Sequence, residues 1–286
     1  MIPADALVVV SVNWRVVRGD GKLLRLVKGT EFKKVFAEVN VREEEVTDLA
    51  VFGDGSGGAR GSAGMLLSGS FDADGVIDLL KKRGWKEETY EGRRVYVSPA
   101  DGARVARLDA SAIVCGTMKG VEGVIRADSG AVAGFTSTDA YRRLSPLLKT
   151  DKQPVSMMIA FPQQLQDAAD AALHISSVML DFACVGALGQ LMSKIGYSRA
   201  IGCSIGREGD SFPVKLVAVM KDEDAAALVS GGLTLLRGIG ALAGQAVART
   251  PEEAEALRNF QNMTLSRERD VLSIGIVLSG ESLFPS

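Results

Sequence analysis

A short apolar strand ending at a break, then a helix, then two strands, then an acidic residue opening a second helix: this succession occurs twice in the chain. It limits the fold more than any other feature, because a long-period repeat sets the architecture before any single element is assigned. "ALVVVSVNW" (Ala6–Trp14) matches "PVSMMIAFP" (Pro154–Pro162). Each is an apolar run of strand length, so each reads as a buried strand. Helical patterns follow both. "EFKKVFAEV" repeats apolar residues at helical spacing behind Thr30, a plausible N-cap, and "QQLQDAADAALHISSVMLDFACVGALGQLMSKIG" is its longer counterpart. "EVTDLAVFG" and "GMLLSGSFD" then pair with "SRAIGCSIG" and "FPVKLVAVMKD". Asp72 and Asp222 open the next helices, and further strands close each half.

The order is therefore β-α-β-β-α-β-β, repeated. Helices alternate with hairpins, and few strand pairs have the crossover a parallel sheet requires. The expectation is an α+β protein of two similar halves, each a mainly antiparallel sheet with helices packed on one face. The two sheets either sit side by side or join edge to edge. The first repeat covers residues 1–135, a linker helix and loop 136–153, and the second repeat 154–286. "TDAYRRLSPLL" is the linker helix, and the polar "KTDKQP" ends it.

Composition enters through what it excludes. At 47% hydrophobic and 24% charged, the 286 residues describe a globular chain. A net charge of −2 gives no case for nucleic acid. Cys115, Cys184 and Cys203 form no CxxC pair and read as small buried residues, with no disulfide assigned. The opening "MIPADALVVVSVNW" reads as a strand and not as a signal peptide.

Several stretches resemble chemical motifs. In "FGDGSGGARGSAG", Gly53, Gly55 and Gly58 follow the order G-x-G-x-x-G. A dinucleotide site needs a helix directly after these glycines, and an apolar strand stands there instead. The loop reads as a hairpin connector that places Phe52 and Met65 on neighbouring strands. His174 is the single histidine, set mid-helix among apolar residues, and one histidine builds no multi-histidine zinc site. Glu43, Glu44 and Glu45 read as a solvated helix end or loop. No catalytic, metal or cofactor-binding residue is assigned, and no cofactor is expected.

Two surfaces remain. The run containing Arg15, Arg18, Lys22, Arg25 and Lys28 is basic and interleaved with leucines, as suits contact with an anionic surface. "AAALVSGGLTLLRGIGALAGQAVA" is long and almost uncharged, with Arg237 at its centre. It reads as a buried helix rather than a membrane span. Where the chain does not cover it, Leu233, Leu236, Arg237, Gly240 and Gly244 would form a ligand or partner surface, or a homodimer face.

"PADALVVVSV", the capped "TEFKKVF" and "TDAYRRL", "YEGRRVYV" and "IVCGTMKGVEGVIRA" together resemble a set of exported bacterial envelope proteins of unknown function. In that set the soluble part follows a signal peptide or lipid anchor. The resemblance implies a periplasmic or cell-envelope location and a structural or binding role. The expected function is thus a non-enzymatic envelope protein that binds a protein partner or an apolar ligand. The alternatives are a hydrolase or transferase with a site between the halves, and a peripheral membrane protein using residues 15–34.

Overall fold

The computed structural model describes residues 1–27, 29–55, 61–161, 198–247, 258–259 and 261–279. The strands are β1 (Val8–Asn13), β2 (Val46–Gly53), β3 (Ala63–Gly69), β4 (Lys86–Tyr90), β5 (Arg93–Val97), β6 (Arg104–Asp109), β7 (Ala112–Gly116), β8 (Val155–Ala160), β9 (Ser198–Ile205), β10 (Ser211–Met220), β11 (Thr264–Glu268) and β12 (Val271–Ser279). The helices are α1 (Trp14–Arg18), α2 (Gly21–Leu26), α3 (Gly29–Glu38), α4 (Ala73–Lys82), α5 (Met118–Asp128), α6 (Asp139–Leu148) and α7 (Glu223–Val247).

All twelve strands form one sheet in the order β11-β12-β10-β9-β8-β1-β2-β3-β7-β6-β5-β4. Every neighbouring pair is antiparallel. The chain is α+β as expected, and the join is edge to edge: β1 pairs with β8 from Val8↔Ile159 to Val12↔Val155. The strand β4, "KEETY", has no apolar alternation to betray it. It is an edge strand whose exposed charges discourage pairing with another chain.

The helices do not all pack on one face, which corrects the sequence expectation. Side chains alternate along a strand, and here both sides are apolar over much of the sheet. Val8, Val10 and Val12 join α1–α4 and α7 in one core. Val9 joins α5 and α6 in a second core on the other side. The chain could not leave Val9, Phe52, Val114 and Val217 facing water, so α5 and α6 cover them.

Local signals read from the sequence hold at several ends. Asp72 caps α4 by accepting the Asp74 amide, and Asp222 accepts the Ala225 amide at 2.8 Å. Thr138 accepts the Tyr141 amide at the start of α6. After α4, Gly84 takes a φ of 80° and Trp85 folds back to donate its amide to Leu80. The helix α3 starts at Gly29, one residue before the expected Thr30 cap. The long helical pattern after β8, including His174 and Cys184, lies outside the described residues.

Thr117 shows how α5 is seated. Its hydroxyl oxygen accepts the amides of Gly120 and Ala63 and donates to the Gly61 carbonyl at 2.8 Å. The cap thereby ties the helix to the base of the β2–β3 hairpin. The approach is so close that a Cβ on Gly120 would collide with the Ala63 backbone. Glycine in a helix ordinarily costs about 1 kcal/mol relative to alanine, but overpacking costs about 1–3 kcal/mol, and backbone cannot swing aside. We therefore expect Gly120→Ala to destabilise the protein, while Gly231→Ala on α7, with nothing within 4 Å of its added Cβ, stabilises it by up to about 1 kcal/mol. Urea-unfolding midpoints measure both, and a gain at Gly120 would refute the close seating.

Candidate functional site

The first concavity follows from strand register. Val51 pairs with Met65, Met65 with Cys115, and Cys115 with Val105. These four side chains make an apolar row across β2, β3, β7 and β6, on the side that carries α3 and α4. The helices flank the row without closing over it. Val51, Met65 and Cys115 are accordingly only partly buried. The space above them is a groove of 510 Å³. Val35 and Val39 of α3 form one wall, and Trp85, placed by the turn after α4, forms the other. Polar groups are confined to Glu38, Asp101, Arg104 and Thr117. Met118, 47% exposed, also lines the groove.

Burial pushes the Cys115 thiol up to about 12, and the Glu38 carboxylate adds to the effect. Its sulfur lies 3.6 Å from the Met65 carbonyl. Cys203, inside the core, is likewise pushed up to about 12 by burial. Neither is a thiolate at neutral pH, the form a nucleophile requires. Among the described residues, no group of three or more His, Cys, Asp or Glu is placed to hold a metal ion.

A second and larger concavity of 850 Å³ lies on the opposite side of the sheet, in the second half. It runs from the C-terminal end of α6 over β9, β10, β12 and β11. A smaller one of 210 Å³, containing Asp48 and Asp151, adjoins it through Asn13 and Gln153. Partial burial raises the pKa of Asp48 against the lowering effect of nearby Arg15.

The fold is shared with a solved protein. No family model and no curated protein matches the sequence. Crystal form III of TP0453 aligns over 99% of this chain and 96% of its own, with a TM-score of 0.50 at 13% identity. Crystal form IV covers 99% and 95% with a TM-score of 0.49 at 14% identity. At such identity the likeness concerns architecture alone.

The surfaces expected from the sequence are placed differently. Leu233 is 2% exposed and packs into the core, and Arg237 donates to the Met263 carbonyl at 3.1 Å. Ala226, Val229, Leu233 and Arg237 recur at helical spacing, so they share the sheet-facing side of α7. Among the described side chains of α7, the exposed apolar ones are Leu228, at 66%, and Leu235, at 65%. The helix is therefore buried on one side only, and Leu233 belongs to the core rather than to an open surface. The side chains of Leu236, Gly240 and Gly244 lie outside the described residues. No helix among the described residues is long and apolar enough to cross a membrane.

Most of the basic run is engaged within the protein. Arg15 reaches the Thr47 hydroxyl at 3.5 Å, Arg18 donates to the Glu43 carbonyl at 2.7 Å, and Lys22 pairs with Asp210 at 2.5 Å. Arg25 is exposed, and Lys28 lies outside the described residues. The glycine hairpin is where the sequence placed it: Phe52 pairs with Gly64 and Val51 with Met65. Gly58 lies outside the described residues. Val51, Met65, Cys115 and Trp85 were not recognised from the sequence. Continuing the hairpin register by one pair would have found Val51 beside Met65.

Two ion pairs link distant parts of the chain. Asp20, which caps α2, pairs with Arg207 at 2.6 Å, and Arg143 of α6 pairs with Asp270 at 2.6 Å. Burial alone would raise the Asp20 carboxyl, but the Leu23 amide, Arg207 and the Lys22 amide together lower it. Asp270 is lowered chiefly by its hydrogen bond from Arg143. A carboxyl lowered in the folded state contributes stability above its unfolded value of about 3.9, and loses it as pH falls through the folded value. Unfolding followed from about pH 7 to 2 should show stability falling below about pH 4. The double variant Asp20→Asn/Asp270→Asn should be less stable at neutral pH and flatter on the acid side. An unchanged acid limb would show that these pairs do not couple to folding.

Proposed function

We propose that the protein is a non-enzymatic binding protein of the cell envelope, built by duplication of a β-α-β-β-α-β-β unit, whose groove over Val51, Met65 and Cys115 holds an apolar ligand. The groove carries this reading. Its 510 Å³ falls within the ~300–1,000 Å³ of ligand pockets, which are mainly apolar with a few polar groups that orient the ligand. Here Glu38, Asp101 and Arg104 occupy the rim. An apolar row left bare between two flanking helices costs hydration that a ligand would relieve, at about 25 cal/mol per Å² covered.

Strand order supports the duplication. Outward from the central pair, the first half runs β1-β2-β3-β7-β6 and the second β8-β9-β10-β12-β11. In each, a helix follows the third strand from the centre, and the fifth strand then forms a hairpin with the fourth: α4 follows β3 and β6 pairs with β7, while α7 follows β10 and β11 pairs with β12. The β4–β5 hairpin is then an addition to the first half. The envelope location rests on the resemblance described above, and fractionation of native cells tests it; recovery in the cytoplasm would remove it.

Titration with the uncharged apolar fluorophore N-phenyl-1-naphthylamine tests the groove. One saturable site is expected, weakened at least tenfold by Met65→Lys. The pair Leu228→Lys/Leu235→Lys on α7 should leave it unchanged. If the α7 variant abolishes binding and Met65→Lys does not, the ligand surface is the helix and the groove reading fails.

A further inference from the structure

We propose that the 850 Å³ concavity is a second binding site, for a small polyanion on a hydroxylated framework, of the class of phosphorylated polyols. Its floor is part of a cross-strand row: Ser204 pairs with Lys215, Lys215 with Gly275, and Gly275 with Thr264, and the row continues beyond the site to Ser156 and Ser11. These residues share the side of the sheet that bears α5 and α6. Farther along the same strands, that side changes character to Val9, Met158, Ala200, Val217 and Val271, the floor of the covered core. The sheet face is thus divided, with helices over its apolar part and a concavity over part of its polar remainder. The described helices leave this side of β11 and β12 open, and Val277 there is 60% exposed.

Charge selects the ligand. Lys215 rises from the floor, Lys149 and Lys152 come from the loop after α6, and Arg207 stands at the rim. Glu208 is the one carboxylate among the lining residues. This excess of cations occurs in a chain whose net charge is −2. Lys215 donates to the Leu147 carbonyl at 2.8 Å. Among the described residues, neither it nor Lys149 nor Lys152 has a carboxylate within salt-bridge distance. Arg207 is held by Asp20, stacks on Phe212 at 4.5 Å, and keeps its buried Nη1 without a hydrogen-bond partner. The guanidinium thus contributes positive charge at the rim. The other polar side chains of the lining are hydroxyls and amides, among them Gln153, Asn262, Thr264, Ser266 and Ser273, and they stand beside apolar residues such as Val16, Leu147 and Val277. These groups suit the hydroxyls of a polyol. Among the described residues no aromatic side chain lines the site, so none of them offers a nucleobase a face on which to stack.

Isothermal titration with myo-inositol hexakisphosphate as the probe, and uncharged myo-inositol as its control, tests the site. The expected result is one-to-one binding of the hexakisphosphate that weakens with added salt, and at least tenfold weaker binding of inositol. Lys149→Glu/Lys152→Glu should weaken the hexakisphosphate at least tenfold, and Lys215→Met should do the same. The variant Lys82→Glu/Lys119→Glu makes the same change in net charge elsewhere and should stay within twofold of the parent. Absence of binding, or equal losses in both charge-reversed pairs, would overturn the proposal. Met65→Lys should bind the probe normally, which keeps this result separate from that of the apolar groove.

Discussion

The pairing of β1 with β8 is the contact on which the rest of the structure depends. It joins seven strands to five in one sheet. It also fixes which side chains share a face, because a slip of one residue would turn every side chain on the strand over. With Ser11 opposite Ser156, the odd positions of β1 align with the even positions of β8. Val10 and Met157 then enter one core, while Val9 and Met158 enter the other. A slip of one residue would carry Ser11 or Ser156 into the core that holds Val10 and Met157. The seam is therefore strongly specified, although its two strands lie far apart in the chain.

Both concavities follow from this register. A cross-strand row becomes a groove where the sheet carries no helix above it. Val51, Met65 and Cys115 stay partly open because α3 and α4 stand on either side of them. The row from Lys215 to Thr264 stays open because α5 and α6 lie over the apolar part of that face. Composition decides what each can hold. Apolar side chains bordered by a few charges fit an apolar molecule, and hydroxyls ringed by unpaired lysines fit an anion.

Much of the element order was legible because it rests on local chemistry. The caps Asp72, Thr138 and Asp222, the turn at Gly84 and the hairpin around Gly53 and Gly64 each satisfy backbone groups within a few residues. What was not legible depends on contacts distant in sequence. The run "VVV" sets Val9 on the face opposite Val8 and Val10, but nothing near it says which distant elements cover each face. The helices were expected on one face because the covering of the other by α5 and α6 depends on those distant contacts. The long helix α7 misled in a related way. Its near absence of charge reads as complete burial, yet glycines at 231, 232 and 238 with Leu228 and Leu235 give it an exposed side that composition does not distinguish from the buried one. The groove residues escaped notice because each is an unremarkable core type on its own element. They become a site only when register lines them up.

The two concavities also differ in how far either can influence the other. They open on opposite sides of the sheet, one over β2, β3, β7 and β6, the other mainly over β9, β10, β12 and β11. Between them stand β1 and β8, buried on both faces and hydrogen-bonded along their length. Communication between sites requires an element with two alternative arrangements that both sites bias. The packed centre of this sheet offers no such alternative among the described residues, because shifting its strands would expose valines on one face and bury serines on the other. The physical expectation is that occupancy of the apolar groove leaves the affinity of the polar site unchanged. The fold then acts as a rigid frame holding two independent surfaces of unlike chemistry, and the same alternation of side chains that divides the cores also keeps those surfaces apart.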